Sequence, residues 1–597
     1  MASIPLKRTY SDFRGVDFAN DPSLVLLSRS PDALNVWKNY KDTQGSCIES
    51  RPGYRELANF EDKINGMYFF NDKVLIHSGT NLYLWDNFPS EPATPLTPLK
   101  NDMNDAKSTF AIFKEKLYIV DGANYLVYDG TTLKNVSDDN PYIPTTTISR
   151  LPSGGGEPYQ DENVLQPKRR NSFVGDGTST EYYLDKMDIT AVTKIIVDDV
   201  EVTSGYTVNT SAGKVTFDTA PSAPVLSGDN VIIEFSKITQ GYINRIAKCT
   251  KMVVFDNRLF FAGNPDSPNA VFHSQLNTPN YVSDLAYYQD GTDESDIKAL
   301  VVGNNILWVF KEPSQERDTI FYHTATTDSI GKVYPNFQGN VSTGCYSDAI
   351  NYKDDIVFLS KTGLEGISSN DIASQQLLSH KSSLVDNKLI NENNFDLSMM
   401  TEWNGYLLIL VNSHIYLGDI RQLYQSVNGY EYEWYYWELG TQATTLKEYK
   451  GNLYIGAEDG SIFIVEGTND NGEIIESYWT TPMDNFEYGN KYKTTNKRGG
   501  IAKIKTIPNG KVKIAERTNK TQTDKFIKEF ASGGFDFGNI DFENFAFTTD
   551  FTSSIVYKIK EKKFVELQLK FYSDELDKPF GIYDAIIEAF EGGYVKR

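Results

Sequence analysis

The chain has 597 residues, with 58 Lys and Arg against 80 Asp and Glu, a net charge of −22 that argues against a general nucleic-acid coat. No apolar run approaches the roughly 18–20 residues of a membrane-spanning helix, and the opening MASIPLKRTYSDFRG lacks the apolar core of a secretion signal. Cys47, Cys249 and Cys345 are odd in number and widely spaced, which points to a chain made in a reducing cytoplasm without disulfides.

Residues 1–59 read as an extended lead-in packed on the repeats that begin at residue 60. Asp21-Pro22 and Ser30-Pro31 punctuate turns, and Ser30 is placed to cap a single helical turn over Pro31 to Leu34. Val36-Trp37 reads as a strand, and Ile48 to Tyr54 as another that ends in a Pro-Gly turn.

From residue 60 a unit of sequence returns seven times: a hydrophobic strand, a short polar turn, a second strand. The residues just before the turn are Phe70, Phe113, Phe255, Val302, Tyr352, Trp403 and Tyr449. They are 43, 142, 47, 50, 51 and 46 residues apart, so five of the six intervals lie near a single period. A period of about 40–50 built from hairpins is the signature of β-propeller blades, because one hairpin cannot bury its apolar face alone. The expected fold is therefore all-β: a propeller of about seven blades, with blades one and two over 60–140 and blades three to seven over 244–479.

The long interval marks an insertion, residues 141–243. It opens with a Pro- and Gly-rich stretch and continues as alternating β-branched and polar residues between turns, as expected of a small β-sandwich. Lys168-Arg169-Arg170 is its basic triplet, read as a solvated linker, with an acidic partner surface or DNA as the alternative. Asp290, Asp293, Glu294 and Asp296 read as a solvated inter-blade loop, with a Ca²⁺ site as the alternative, although their spacing fits no defined loop.

Tyr430, Tyr432, Trp434, Tyr435, Tyr436 and Trp437 form the densest aromatic cluster. By period two it reads as a blade strand, and the alternative is a sugar-stacking platform offered by Tyr430, Tyr432, Trp434 and Trp437. The strand from Glu473 to Trp479 either completes the ring or leads out of it. A C-terminal β-sandwich-like domain is expected over 480–597, with strands at Ile501–Ile507, Lys511–Glu516, Ser554–Ile559, Phe564–Phe571 and Ile582–Phe590 and a hairpin turn at Asn509-Gly510. The Phe-rich stretch 535–547 is expected to feed a core or a subunit contact.

Catalytic motifs are not found: the chain has no HExxH, GxSxG, P-loop spacing or repeated sialidase box. The number of carboxylates leaves room for a glycosidase pair. His77, His273, His323, His380 and His414 lie in different repeats and read as strand or loop residues, and neither a cofactor nor a metal is expected.

Three stretches resemble known proteins. The N-terminal DFRG, SPDALN and RPGYR, within Asp12 to Arg55, are similar to the start of a widespread group of tailed-bacteriophage virion proteins, the propeller-containing tail hub or nozzle proteins often described as packaged-DNA stabilisation proteins. Asn257 to Phe261, Ser274 with Pro279-Asn280-Tyr281, Ile297 to Leu300 and Leu307 to Lys311 resemble a second pattern of that family. Within the insertion, FVGDGTSTEYYL and NVIIEF resemble a small sandwich of phage tail and fibre proteins. The resemblance implies a virion tail protein: a homo-oligomeric ring, hexameric in that family, that extends the portal channel beside portal or adaptor and other tail proteins. Phage DNA would pass through it without sequence-specific binding, and an acidic channel wall would let it slide. Arg51 and Asp32 are then expected to hold the lead-in in place. The alternative function is a receptor- or glycan-binding propeller at the tail tip.

Overall fold

The structure, a computed structural model, describes residues 5–42, 47–90, 92, 96–314, 318–328, 332–339, 341–367, 378–426, 429–521, 523–531, 533–534 and 552–595. The stretch 535–547 lies outside them. The chain divides into two compact units, one comprising residues 1–67, 87–96 and 346–597, the other 68–86 and 97–345.

The described residues are almost entirely β. Seven sheets are four-stranded and antiparallel, and in six of them the opening strand ends at the expected repeat anchor, in the fourth one residue after it. The first runs through Ile64–Phe70, Lys73–Ser78, Asn81–Trp85 and Pro98–Lys100. In the seventh, Ala443–Tyr449, Asn452–Ala457 and Ser461–Val465 are joined by Tyr54–Asn59, so a strand of the expected lead-in is the fourth strand of the last repeat. Inside each unit, opening strands of successive sheets lie against one another: Thr109–Phe113 against Lys251–Phe255 and that against Ile297–Gly303, and likewise Ala349–Tyr352, Met399–Trp403 and Ala443–Tyr449.

The turns explain the period. All seven have two central residues with positive φ: Asn71/Asp72, Lys114/Glu115, Asp256/Asn257, Asn304/Asn305, Lys353/Asp354, Asn404/Gly405 and Lys450/Gly451. That is the two-residue turn whose twist matches paired strands. It also corrects the fourth anchor, because Gly303 and not Val302 pairs with Ile306 across the turn. Two anchors bond the following sheet: the Tyr352 hydroxyl donates to the carbonyl of Gly405 at 2.7 Å, and Trp403 Nε1 donates to that of Gly451 at 3.1 Å. The aromatic anchor therefore closes its own hairpin and also holds the next one.

The insertion forms two sheets. The larger is ordered Glu157–Pro158, Thr145–Arg150, Lys168–Phe173, Val231–Ser236, Ala191–Val197, Val200–Glu201, and the smaller Glu181–Tyr183, Lys214–Phe217, Tyr206–Asn209. Phe173, Tyr182, Ile195, Val215, Ile233 and Phe235 form its core. The expected linker is therefore structured, and Lys168-Arg169-Arg170 opens a strand paired on both sides.

The C-terminal region has two large sheets, beside the two-stranded pair of Ile507–Pro508 with Gly533–Gly534, and the lead-in is woven into both large ones. Leu6–Tyr10 and Ile48–Ser50 pair with Gly581–Tyr594, while Ala33–Leu34 pairs with Ser477–Thr480, which pairs with Leu567–Ser573. The strand before residue 480 thus leads out of the seventh sheet. Asn509-Gly510 is a turn but not a hairpin: Gly500–Lys505 pairs with Thr552–Tyr557, whereas Lys511–Thr518 pairs with Lys525–Ala531 in the other sheet. No helix forms after Ser30; its Oγ instead accepts from Asp32 N at 3.3 Å.

A Lys in left-handed backbone costs about 1–2 kcal/mol, and Asp accepts that conformation less readily than Gly. The double change Lys353→Asn/Asp354→Gly is expected to raise the unfolding free energy by about 1 kcal/mol, read as a higher denaturant midpoint. Asp354→Val should lower it by at least as much; insensitivity to both would contradict this turn.

Candidate functional site

A set of buried polar contacts joins the lead-in to the sixth sheet, the loop after the seventh sheet and the C-terminal sheets, all in one unit. At its centre is Arg51. Its Nη1 and Nη2 donate to the two carboxylate oxygens of Asp470 at 2.7 and 2.6 Å, its Nε to Asn35 Oδ1 at 2.9 Å, and Nη2 also to the Glu438 carbonyl at 2.7 Å. Arg51 and Asp470 are 2% and 6% exposed, so each depends on the other for its charge to be tolerated. Asn35, held at φ +54°, bonds the Glu438 amide at 2.8 Å and the Glu476 carbonyl at 2.8 Å.

A second buried fork joins Arg29 Nε and Nη2 to Glu433 at 2.9 and 2.7 Å, with the guanidinium 4.3 Å from the Tyr424 ring centre. Burial holds the Glu433 carboxyl above its ordinary pKa despite Arg29. Two glycines let backbones meet: a Cβ on Gly15 would lie 2.1 Å from the Trp434 carbonyl oxygen, and one on Gly53 1.8 Å from that of Asn469. Asp32 accepts from the Tyr478 hydroxyl at 3.0 Å. DFRG, SPDALN and RPGYR thus supply the residues that stitch the termini together, as expected for Arg51 and Asp32.

This corrects the aromatic platform. Tyr432, Trp434 and Trp437 are buried within strand Gly429–Glu438, and only Tyr430 is exposed. Trp37 stacks on Trp403 at 5.3 Å and meets Trp437 edge-on, and Trp434 and Trp437 Nε1 donate to the carbonyls of Lys381 and Val36. A sugar has no access to these rings. The strand lies between lead-in and sheet, so both faces are covered and period two is lost.

The basic triplet is also divided by its strand. Lys168 is exposed, Arg169 is buried beside Glu162, and Arg170 reaches Glu234 at 3.1 Å. In the acidic stretch Asp290 is fully buried, accepting from His323 Nε2 at 3.0 Å and Asn336 at 2.5 Å, whereas Asp293, Glu294 and Asp296 are exposed. No cluster suited to a metal occurs among the described residues.

Three histidines meet carboxylates that sequence neighbours did not reveal. Besides His323, His414 Nδ1 lies 2.8 Å from Glu392, and His380 is clamped between Glu365 at 2.9 Å and Asp386 at 2.6 Å. Asp386 also accepts from Ser382 at 2.6 Å. Burial disfavours the His380 imidazolium, but the bonds to Asp386 and Glu365 outweigh it and push its pKa up to about 10. His273 is driven the other way, to about 4, by burial.

No family model matches the chain, and no curated protein does. Among solved structures it is similar to the computationally designed Ika8 protein, at 13% identity and a TM-score of 0.31, covering 70% of this chain and 99% of that one. It is also similar to BamB from Moraxella catarrhalis, at 9% identity and 0.30 over 69% and 99%, and to a catalytically inactive virginiamycin B lyase from Staphylococcus aureus with quinupristin, at 10% and 0.30 over 69% and 97%.

Arg51→Ala leaves the Asp470 carboxylate buried and unpaired and is expected to cost about 3–5 kcal/mol in denaturant unfolding. Arg51→Lys should recover only part of this, because the fork is lost. A pKa raised on folding gives His380 a stabilising contribution present below its unfolded pKa of about 6.5 and lost as pH rises through about 10. The stability difference between wild type and His380→Asn should therefore shrink across that window; parallel curves would contradict the clamp.

Proposed function

We propose that the chain is a structural subunit of a bacteriophage tail, a hub or nozzle protein that extends the portal channel, retains packaged DNA and lets it leave. In this reading the seven sheets close radially as a propeller, with Tyr54–Asn59 as the clasp that ties the N-terminal side of the ring to its last blade. The chain assembles as a homo-oligomeric ring, of six copies by the resemblance, against portal or adaptor proteins. Its role is mechanical and not enzymatic.

The observation that carries the reading is the use made of the family-like motifs. Gly15, Asn35, Arg51 and Gly53 fall within DFRG, SPDALN and RPGYR, and each makes a buried, shape-critical contact far along the chain. The motifs are explained as structural staples and need no reactive group. The receptor-binding alternative at Tyr430 to Trp437 loses its residues, because three of its four rings are interior.

Mass spectrometry and electron microscopy of purified virions test this. The chain is expected as a stoichiometric component of the tail, in a ring coaxial with the channel. A strictly monomeric protein absent from particles would sink the proposal.

A further inference from the structure

Two adjoining cavities sit at the foot of the inserted sandwich, inside a single unit. One, of about 450 Å³, lies between Leu165 to Pro167, the Lys237 to Ala247 segment and residues 123–137 of the second sheet. The other, of about 520 Å³, lies between Asn140 to Ile143 and Gln166 to Arg170, and the two share Ser137, Gln166 and Pro167. Volumes of this order suit one or two small-molecule units each.

The charge of the walls is the opposite of the molecule's. The first lining includes Arg169, Lys237 and Arg245, the second Lys168 and Arg170, and neither includes an Asp or Glu, in a chain with 80 of them. Glu162 and Asp284 lie behind the lining, engaged by Arg169 and Lys186 and by the Tyr242 hydroxyl.

The cations are not fully used by the protein. Arg169 is 3% exposed and reaches Glu162 and the Lys237 carbonyl, yet its Nε has no hydrogen-bond partner among the described residues. A buried guanidinium N–H left without an acceptor is a cost that the fold itself carries. Arg245 lies over Tyr242, 4.8 Å from its ring centre, and among the described residues its guanidinium donates only through Nε, to the Gly241 carbonyl at 3.0 Å. Its terminal fork is left for a carboxylate, the geometry it matches best. Leu165 and Ile243 add an apolar wall.

We propose that these paired cavities bind an acidic oligosaccharide, with a sugar carboxylate on the Arg245 fork, the pyranose C–H face against the apolar wall, and the next acidic unit beside Lys168 and Arg170. The site does not depend on the tail assignment. Half-open cavities of this size with cations in their walls suit a chain one sugar wide; duplex recognition uses cations on protruding faces that follow the backbone or enter a groove.

Calorimetric titration of the full chain with tetragalacturonate, maltotetraose and a short oligothymidylate tests it. Tetragalacturonate is expected to bind saturably and maltotetraose not at all. Arg245→Gln should weaken binding about tenfold, the loss of one charge-assisted pair, at an unchanged melting temperature. Lys168→Gln, on an exposed side chain, should weaken binding of tetragalacturonate more than that of galacturonate, titrated alongside, and it serves if Arg245→Gln fails to fold. No saturable binding, equal binding of maltotetraose, indifference to both variants, or preference for the oligothymidylate would each overturn the proposal.

Discussion

A guanidinium and a carboxylate can share a protein interior only while they face each other, and the pairing of Arg51 with Asp470 is the constraint on which this architecture turns. It fixes residue 51 beside residue 470, 419 positions apart in sequence. Once it is made, Tyr54–Asn59 falls in register with Ser461–Val465, Asn35 reaches the backbone at Glu438 and Glu476, and Ala33–Leu34 lies on the strand that leaves the seventh sheet. The pair contributes more by specifying this arrangement than by net stabilisation, since desolvating both charges consumes much of their attraction.

The repeats depend on a different constraint. A two-residue hairpin turn forces two residues into left-handed backbone, which Asn, Asp and Gly accept most readily and which Lys114, Glu115 and Lys353 adopt against their preference. Closure of the hairpin by an aromatic residue, together with the bonds of Tyr352 and Trp403 to the following turns, offsets that cost locally. This is why the anchor recurs while the turn residues vary: the geometry is the conserved quantity within the chain, and several residue pairs meet it.

The same logic shows how much was legible in the sequence. Local features were: the seven hairpins, the insertion and its alternating strands, and four of the C-terminal strands to within a few residues, because period-two patterning and turn chemistry are written in neighbours; Lys491–Thr495 and Lys525–Ala531 were not, and the expected Phe564–Phe571 is two strands in different sheets. Long-range pairing was not. Nothing near Asn509-Gly510 says that the strands on either side belong to different sheets, and nothing near Lys168-Arg169-Arg170 says that the triplet lies in a central strand. The aromatic run is ambiguous for a physical reason: a strand covered on both faces has no polar face to alternate with. The histidine clamps are invisible in sequence because Asp386 and Glu365 converge on His380 through the fold. Val302 reads as an anchor because it is hydrophobic, whereas the turn beside it starts one residue later.

Above all, the N-terminal segment is an integral member of the scaffold, sharing the stability of the seventh sheet and the C-terminal sheets. Native-state hydrogen exchange reads this directly, because amides in one cooperative unit open together. Amides of Ala33 to Trp37 and of Tyr54–Asn59 are predicted to exchange with the same opening free energy as those of Ser461–Val465 and of the paired residues of Gly581–Tyr594. Exchange of the N-terminal amides at unfolded-chain rates, with the other strands still protected, would contradict it.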